Sequence, residues 1–274
     1  MTDSARQKAS FDDVARGYDA RFTDQPITCH LRAEVMAVAL KCLPASDGRV
    51  LEIGCGTGVD AISFARQGHR VLATDAAPGM IRMARQKGAG VARIDTEIWQ
   101  VGQTIPEPVR TAAPFDLVFS NFGAVNCIED LETLGVACAQ LVAPGGFVVL
   151  VAINRWCLME IVLGAMRLDR ATMSRRFRKK QITRLEDGTQ LAVQFPSRQE
   201  LAGHMGDAFA LEQARPVGVF FPPSEYYTAF QKRPWLMRLV RWLDAMPGRW
   251  WPFSRLADHD LLVFRRTADS NDRR

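Results

Sequence analysis

Several features are missing from this 274-residue chain, and each absence narrows what the chain can be. No Cys-x-x-Cys pair occurs among Cys29, Cys42, Cys55, Cys127, Cys138 and Cys157, and none has a histidine at zinc-ligand spacing. No metal is therefore expected, and the cysteines read as reduced, mostly buried thiols. The opening stretch MTDSARQKASFDD is polar and lacks the apolar segment of a secretory leader. No apolar run approaches the length that spans a bilayer, and the best one, CLMEIVLGAM, is broken by Glu160. These absences together predict a cytoplasmic protein. Internal repeats are also absent, and only the last few residues read as disordered.

What is present is ordinary in bulk and uneven in detail. Apolar residues make up 47% and charged residues 24%, as in globular proteins generally. Residues 1–150 hold 14 Lys and Arg against 17 Asp and Glu, whereas residues 151–274 hold 21 against 13. The net charge of +5 thus comes from the second half. An anionic ligand, a membrane surface, nucleic acid or a plain solvated face would each account for it.

Periodicity supplies the fold class. Phe11, Val14, Ala15 and Tyr18, then Leu31, Val35, Val38 and Leu40, recur at helical spacing on either side of Pro26. Short apolar runs follow at RVLEI, HRVLATD, EIWQV, FDLVFSN and FVVLVAI, each separated from the next by a helical or turn-rich segment. ALEQARPVGVFF and DHDLLVFRR read as a sixth and a seventh strand, and TRLEDGTQLAVQF as a hairpin. The alternation predicts an α/β fold with a doubly wound, mostly parallel seven-stranded sheet and an antiparallel last strand. Helical insertions are expected after strands 5 and 6. The chain divides into a helical lid (1–45), a core (46–153), an insertion-bearing part with the last two strands (154–266) and a disordered tail (267–274).

The stretch VLEIGCGTGVD places Gly54, Gly56 and Gly58 where a strand turns into a helix. Glycine there lets the backbone approach a ligand, and the following helix presents free N–H groups. A dinucleotide site expects G-x-G-x-x-G, yet Val59 occupies the third glycine's slot. Glu52 precedes the turn, and Asp75 ends the second strand, where its carboxylate can accept hydrogen bonds from both hydroxyls of a ribose. Such carboxylates suit a cationic, phosphate-free ligand better than a pyrophosphate.

VLEIGCGTG, VLATD, FDLVFSN and LVAPGGFVVL, in this order and spacing, resemble the class I (Rossmann-like) S-adenosylmethionine-dependent methyltransferases, in particular the small-molecule group that includes quinone-biosynthesis enzymes. The resemblance covers roughly residues 11–153. It implies S-adenosylmethionine as cofactor and S-adenosylhomocysteine as product. It assigns Glu52, Gly54, Gly56 and Gly58 to the methionine part and the turn beneath the ribose, Asp75 to the ribose hydroxyls and Ala76 to the adenine, and it counts Cys55 and Met80 among the cofactor-binding residues. Asn121 and Phe122 would lie beside the sulfonium, and Tyr18 would close the lid over the cofactor. The family's acidic residue near the adenine is replaced here by VGQT, so Gly102 and Gln103 take its place, with the Gln103 carbonyl as acceptor.

If the sheet has this topology, the loops after strands 5 and 6 and the start of strand 7 converge on the cofactor side. Arg155, Trp156, Phe221 and His259 are then the expected substrate-binding residues, and His259 and Tyr18 the catalytic candidates. The segment PWLMRLVRWLDAMPGRWWPF either caps an apolar pocket or lies on a membrane surface. A cap or plain core packing is favoured, because a membrane-lying helix usually has a broader basic face. A partly apolar small-molecule acceptor follows: a lipid, quinone, polyketide or aromatic metabolite, with peripheral membrane contact left open and no nucleic acid expected. Two alternatives remain. The basic run RRFRKK would suit an RNA methyltransferase, and the same fold could serve as a catalytically silent binding or scaffold protein. The acceptor atom and the oligomeric state are not fixed by these residues.

Overall fold

The computed structural model describes residues 11, 15–169, 176, 180–184, 190–222, 232–245 and 255–267. After a short helical turn at Ala15–Gly17 and a wider one at Asp19–Thr23, α1 (Pro26–Ala39) starts on a proline. The missing N–H of Pro26 costs nothing in a first turn, and its fixed φ suits a helix start. The core then alternates as β1 (Arg49–Ile53), α2 (Val59–Arg66), β2 (Arg70–Asp75), α3 (Pro78–Gly88), β3 (Ile94–Ile98), α4 (Glu107–Ala112), β4 (Phe115–Ser120), α5 (Leu131–Leu141) and β5 (Val142–Ile153). Beyond it lie α6 (Leu158–Met166), the hairpin β6 (Lys180–Arg184) and β7 (Gln190–Gln194), α7 (Arg198–Met205), β8 (Phe209–Val217), α8 (Pro234–Ala245) and β9 (His259–Arg266).

One seven-stranded sheet runs in the order β3-β2-β1-β4-β5-β9-β8, and the hairpin forms a separate two-stranded sheet. Strands β1 to β5 pair in parallel, while β9 is antiparallel to both of its neighbours, β5 and β8. The predicted architecture is therefore the observed one. The third strand is displaced from its expected position. It occupies Ile94–Ile98 rather than EIWQV, because Ile94 to Ile98 pair with Val71 to Asp75 and the chain turns away at Trp99. Thr267, the first residue of the predicted tail, donates its N–H to Ala208 O at 2.9 Å. Residues 268–274 lie outside the described ones.

Period-two alternation divides the core between the two faces of the sheet. Val50, Val71, Ala73, Leu117, Phe119, Val149, Val151, Leu261 and Val263 pack against α1 and α2. Leu51, Leu72, Val118, Val148, Leu150, Leu262 and Phe264 pack against α5 and α7. Strands buried on both faces read as near-continuous apolar runs, which is why these segments were legible in sequence. Helix α7 is begun by a capping box: Ser197 Oγ accepts from Glu200 N at 3.2 Å, and Ser197 N donates to Glu200 Oε2 at 2.7 Å. Among the described residues no helix is long and apolar enough to cross a membrane.

Helices α5 and α7 approach so closely that Gly135 has no room for a side chain: a Cβ there would lie 2.0 Å from the His204 carbonyl oxygen. Backbone cannot yield cheaply, so Gly135→Ala is expected to destabilise the fold by about 1–3 kcal/mol, as overpacked sites do. Equilibrium urea unfolding checks this, and an unchanged midpoint would contradict the close approach.

Candidate active site

Strand order reverses between β1 and β4, and open parallel sheets bind ligands beyond the carboxyl ends of the strands at such a point. A cavity of about 350 Å³ lies there. Its floor is the turn from β1 into α2. Gly54 and Gly56 have φ of 71° and 54°, a region that side chains avoid. A Cβ on Gly54 would come within 2.4 Å of Ala124 Cβ, whereas one on Gly56 would meet nothing within 4 Å. The first glycine lets the turn pack against the segment after β4, and the second leaves the backbone bare towards the cavity.

Asp75, at the end of β2, fastens this turn. Its Oδ2 accepts from Gly56 N at 2.9 Å and its Oδ1 from Ala77 N at 2.8 Å. Cys55 N donates to Thr74 O at 2.9 Å, so the turn hangs on the neighbouring strand by backbone and side chain together. Ala76, Ala77 and Met80 continue the wall, and Trp99, Gln100 and Val101 face it from the loop after β3.

The electrostatics are set by a buried cluster beneath the turn. Alternation places Glu52 on the same face of β1 as Val50, where the rest of the wall is apolar and α1 and α2 cover it. Glu52 is 2% exposed and Asp60, in the first turn of α2, also 2%. Arg32 of α1 forms an ion pair with Asp60, and Asn121 Nδ2 donates to the same carboxylate oxygen at 2.9 Å. The Arg32 guanidinium also stands 5.0 Å from the ring centre of Phe122. Burial, with the Asp60 charge added, pushes the Glu52 carboxyl well above its ordinary range, against the opposing pull of Arg32. Glu52 Oε2, Asp60 Oδ1, Arg32 Nε and Trp99 Nε1 are all buried with no hydrogen-bond partner within the protein. Buried polar atoms are rarely left so, and these four belong to residues that line the cavity.

The segment 15–23 closes one side. Asp19 accepts from Thr57 Oγ1 at 2.6 Å and pairs with Lys87, whose Nζ in turn donates to Thr57 Oγ1 at 2.9 Å. Burial works to raise the Asp19 carboxyl, but the hydrogen bonds from Lys87 and Thr57 hold it below its ordinary value. Tyr18 lines the cavity and packs on Phe22 with ring centres 5.1 Å apart. Burial pushes its phenol up to about 12 despite nearby Arg32, so it stays a neutral hydroxyl at physiological pH. The remaining wall is mostly apolar: Phe11, Phe22, Ile128, Ile153 and Val193, with Cys127 among them and Thr23 and Glu129 as its polar members.

The cavity thus gathers most of the residues singled out from sequence: Tyr18, Glu52, Gly54, Cys55, Gly56, Asp75, Ala76, Met80, Asn121 and Phe122. Others stand elsewhere. Gly58 caps α2 in a left-handed conformation and serves packing, since a Cβ there would press on Ala84 Cβ at 2.9 Å. Gly102 and Gln103 are not in the lining; with β3 ending early, Trp99, Gln100 and Val101 take that position. Arg155 donates to Phe195 O at 3.0 Å, Trp156 is half-exposed, and Phe221 is buried against His30 at 5.5 Å between ring centres. None of the three lines the cavity. His259 begins β9 as expected but lies behind Phe122, whose ring meets it edge-on at 5.1 Å, and its Nδ1 is 3.1 Å from Asp258 Oδ2. Helix α8 does not cap the cavity either, and Trp250 and Trp251 lie outside the described residues. Cys55 is a buried thiol whose pKa burial raises, and Cys29 is exposed, against the expectation of mostly buried cysteines.

Arg32, Asp60, Thr57 and Trp99 were missed in sequence. Arg32 follows the inward-facing Leu31 in a helix, a position usually left to solvent, and only the fold reveals that α1 lays it over β1. Cys157, Glu160 and Asp258 place ligand-type atoms within 4.8 Å of one another, but Arg176 bridges the two carboxylates, reaching Glu160 Oε1 at 2.6 Å and Asp258 Oδ1 at 2.7 Å. Burial would raise the Asp258 carboxyl, yet Arg176 and His259 hold it far below the usual range.

The reversed strand order and the glycine turn between β1 and α2 are those of the class I S-adenosylmethionine-dependent methyltransferase fold. Residues 50–146 match the family model described as a methyltransferase domain. The chain is 37% identical over 135 residues to a ubiquinone biosynthesis O-methyltransferase of Xylella fastidiosa strain 9a5c, covering 46% of this chain and 50% of that one. It therefore spans about half the length of the curated relatives it matches. Among solved structures it resembles the N-methyltransferase NodS of Bradyrhizobium japonicum WM9 in complex with S-adenosylhomocysteine. The TM-score is 0.59 at 15% identity, over 95% of this chain and 98% of that one. It also resembles the [4+2]-cyclase SpnF, with a TM-score of 0.55 at 14% identity over 86% and 80%.

Glu52 carries a stability consequence. A carboxyl whose pKa is raised on folding binds its proton more tightly in the folded chain than in the unfolded one. Stability is thus lost as pH rises from the unfolded pKa through the folded one. Glu52→Gln removes that charge while keeping the shape. Thermal unfolding without ligand should show the variant more stable than the parent at pH 8, by about 1–3 kcal/mol, with the gap narrowing towards pH 5. A variant less stable at pH 8 would refute the raised pKa.

Proposed function

We propose that this protein is an S-adenosylmethionine-dependent methyltransferase acting on a partly apolar small molecule. The observation that carries the reading is the acidic, unsatisfied wall beside the glycine turn, where Glu52 Oε2 and Asp60 Oδ1 are buried without partners. An ammonium group would satisfy them, whereas a pyrophosphate brings no donors to these two acceptors. Asp75 would hold the ribose hydroxyls, and Ala76, Met80 and the Trp99–Val101 loop would flank the adenine. Glu52, Asp60 and Asn121 would take the ammonium, with Arg32 for the carboxylate. Bound there, the cofactor supplies an electrophilic methyl carbon on a sulfonium. The protein's part is to hold the acceptor in line with the carbon–sulfur bond and to keep water out.

Phe11, Cys127, Ile128, Ile153 and Val193, with Glu129 beside them, form the wall left for the acceptor, and its mostly apolar character favours a lipid, quinone, polyketide or aromatic metabolite. The ubiquinone-biosynthesis relatives are consistent with a quinone-like ring. Tyr18, neutral and facing the cavity, would donate a hydrogen bond rather than act as a base. His259 would hold Phe122 in position rather than touch the acceptor. An RNA acceptor finds less support, because Arg176 of the basic run turns inward to Glu160 and Asp258. A role without methyl transfer keeps some support from the shared fold of a cyclase.

Calorimetry tests the cofactor. S-adenosylhomocysteine should bind and NAD should not, and the reverse would overturn the proposal. Asp75→Ala should weaken S-adenosylhomocysteine at least about thirtyfold, since it removes a charged acceptor and frees two backbone donors. Equal affinity would mean that the ribose lies elsewhere. Tyr18→Phe should cost about threefold to tenfold, the worth of one hydrogen bond. Incubation with labelled cofactor and a cell metabolite extract would then identify the molecule that gains the methyl group.

A further inference from the structure

Helix α8 has two apolar faces, and among the described residues only one of them is packed. Leu236, Met237 and Val240 pack into the main core, and Asp244 turns inward to accept from Phe220 N at 2.9 Å. The other face carries Trp235, Leu239 and Trp242, one helical stripe, exposed to 60%, 42% and 58%. Large apolar residues standing together in this way mark a contact surface. Lys232, Arg233, Arg238 and Arg241 are exposed around the stripe. No carboxylate falls between Lys232 and Leu243, and the nearest one, Asp244, is occupied inside.

We infer that α8 is an interfacial helix that seats the protein on an anionic lipid bilayer, with Trp235, Leu239 and Trp242 entering the headgroup boundary and the four cations meeting lipid phosphates. The chemistry on the exposed face is what such a surface selects: amphipathic aromatic rings for the boundary and like-signed cations on both flanks. A second copy of the chain would place these same cations against each other, which disfavours self-association through this face. The sequence alone left the segment between a pocket cap, plain core packing and a membrane helix. Residues 234–245 do not line the cavity, and their inner face is packed in the core, which leaves the outer face to account for. The inference is independent of the proposed activity.

Co-sedimentation with vesicles tests it, using phosphatidylcholine with about 30% phosphatidylglycerol against phosphatidylcholine alone. Binding should require the anionic lipid and weaken as salt is raised. The double variant Arg238→Gln/Arg241→Gln should bind about thirtyfold more weakly, from roughly fivefold per cation at a charged surface. Trp235→Ser/Trp242→Ser should lose at least about tenfold through lost apolar burial. All four side chains are exposed and outside the cavity, so both variants should keep the parent's melting temperature and S-adenosylhomocysteine affinity. Equal binding to both vesicle types, or none to either, would overturn the inference. So would sedimentation velocity showing a dimer that the Trp variant converts to monomer.

Discussion

The site depends on one constraint: the carboxyl group of Glu52 is buried on a strand face, at the wall of the cavity. Its place follows from the pleat, since the residue two positions from Val50 must point the same way. Beside it stands Asp60 of α2, which pairs with Arg32 from α1 and accepts from Asn121 just after β4. Three elements distant in sequence are thus tied together at Asp60, next to the buried Glu52 carboxyl. The arrangement remains incomplete within the protein, with unsatisfied oxygens left on Glu52 and Asp60. Strain of this kind, kept at a cavity wall and tolerated by a well-packed core, is how binding sites differ from ordinary interiors.

A second acid plays the complementary part. Asp75 spends both oxygens on backbone N–H groups, one on each side of the cavity floor, and so shapes the glycine turn as well as facing the cavity. The Asp19, Thr57 and Lys87 contacts extend that support to the segment that closes over it. The site is thus a chain of fixed groups reaching from β2 through the turn to the lid.

Much of this could be read in the sequence. Doubly buried strands announce themselves as short apolar runs, and the glycine spacing with Glu52 and Asp75 marks both the turn and the sign of its charge. Legibility ended where contacts are made across the fold. Arg32 reads as a solvent-facing helix residue until α1 is laid on β1, and Arg176 reads as part of a basic run until it is found between Glu160 and Asp258. The third strand was displaced because EIWQV is as apolar as a strand, yet pairing with β2 stops at Ile98 and frees Trp99 for the cavity. His259 was placed at the correct strand end, but topology brings a residue only to the right edge of a site. The intervening ring of Phe122 decided whether it touched the cavity.

The position of β9 bears on how the molecule is made. It follows every other strand of the sheet in sequence, yet it lies between β5 and β8. Until the ribosome has delivered it, β5 presents an open apolar edge and β8 has no neighbour in the sheet. The half carrying the glycine turn can form early from local βα units, whereas the other half must wait for its keystone. During that interval the nascent chain exposes the kind of unpaired edge that invites mispairing with other chains. Chaperone demand should therefore be concentrated in the interval before β9 emerges, on the part that carries β8 and α8, after the glycine turn has already formed.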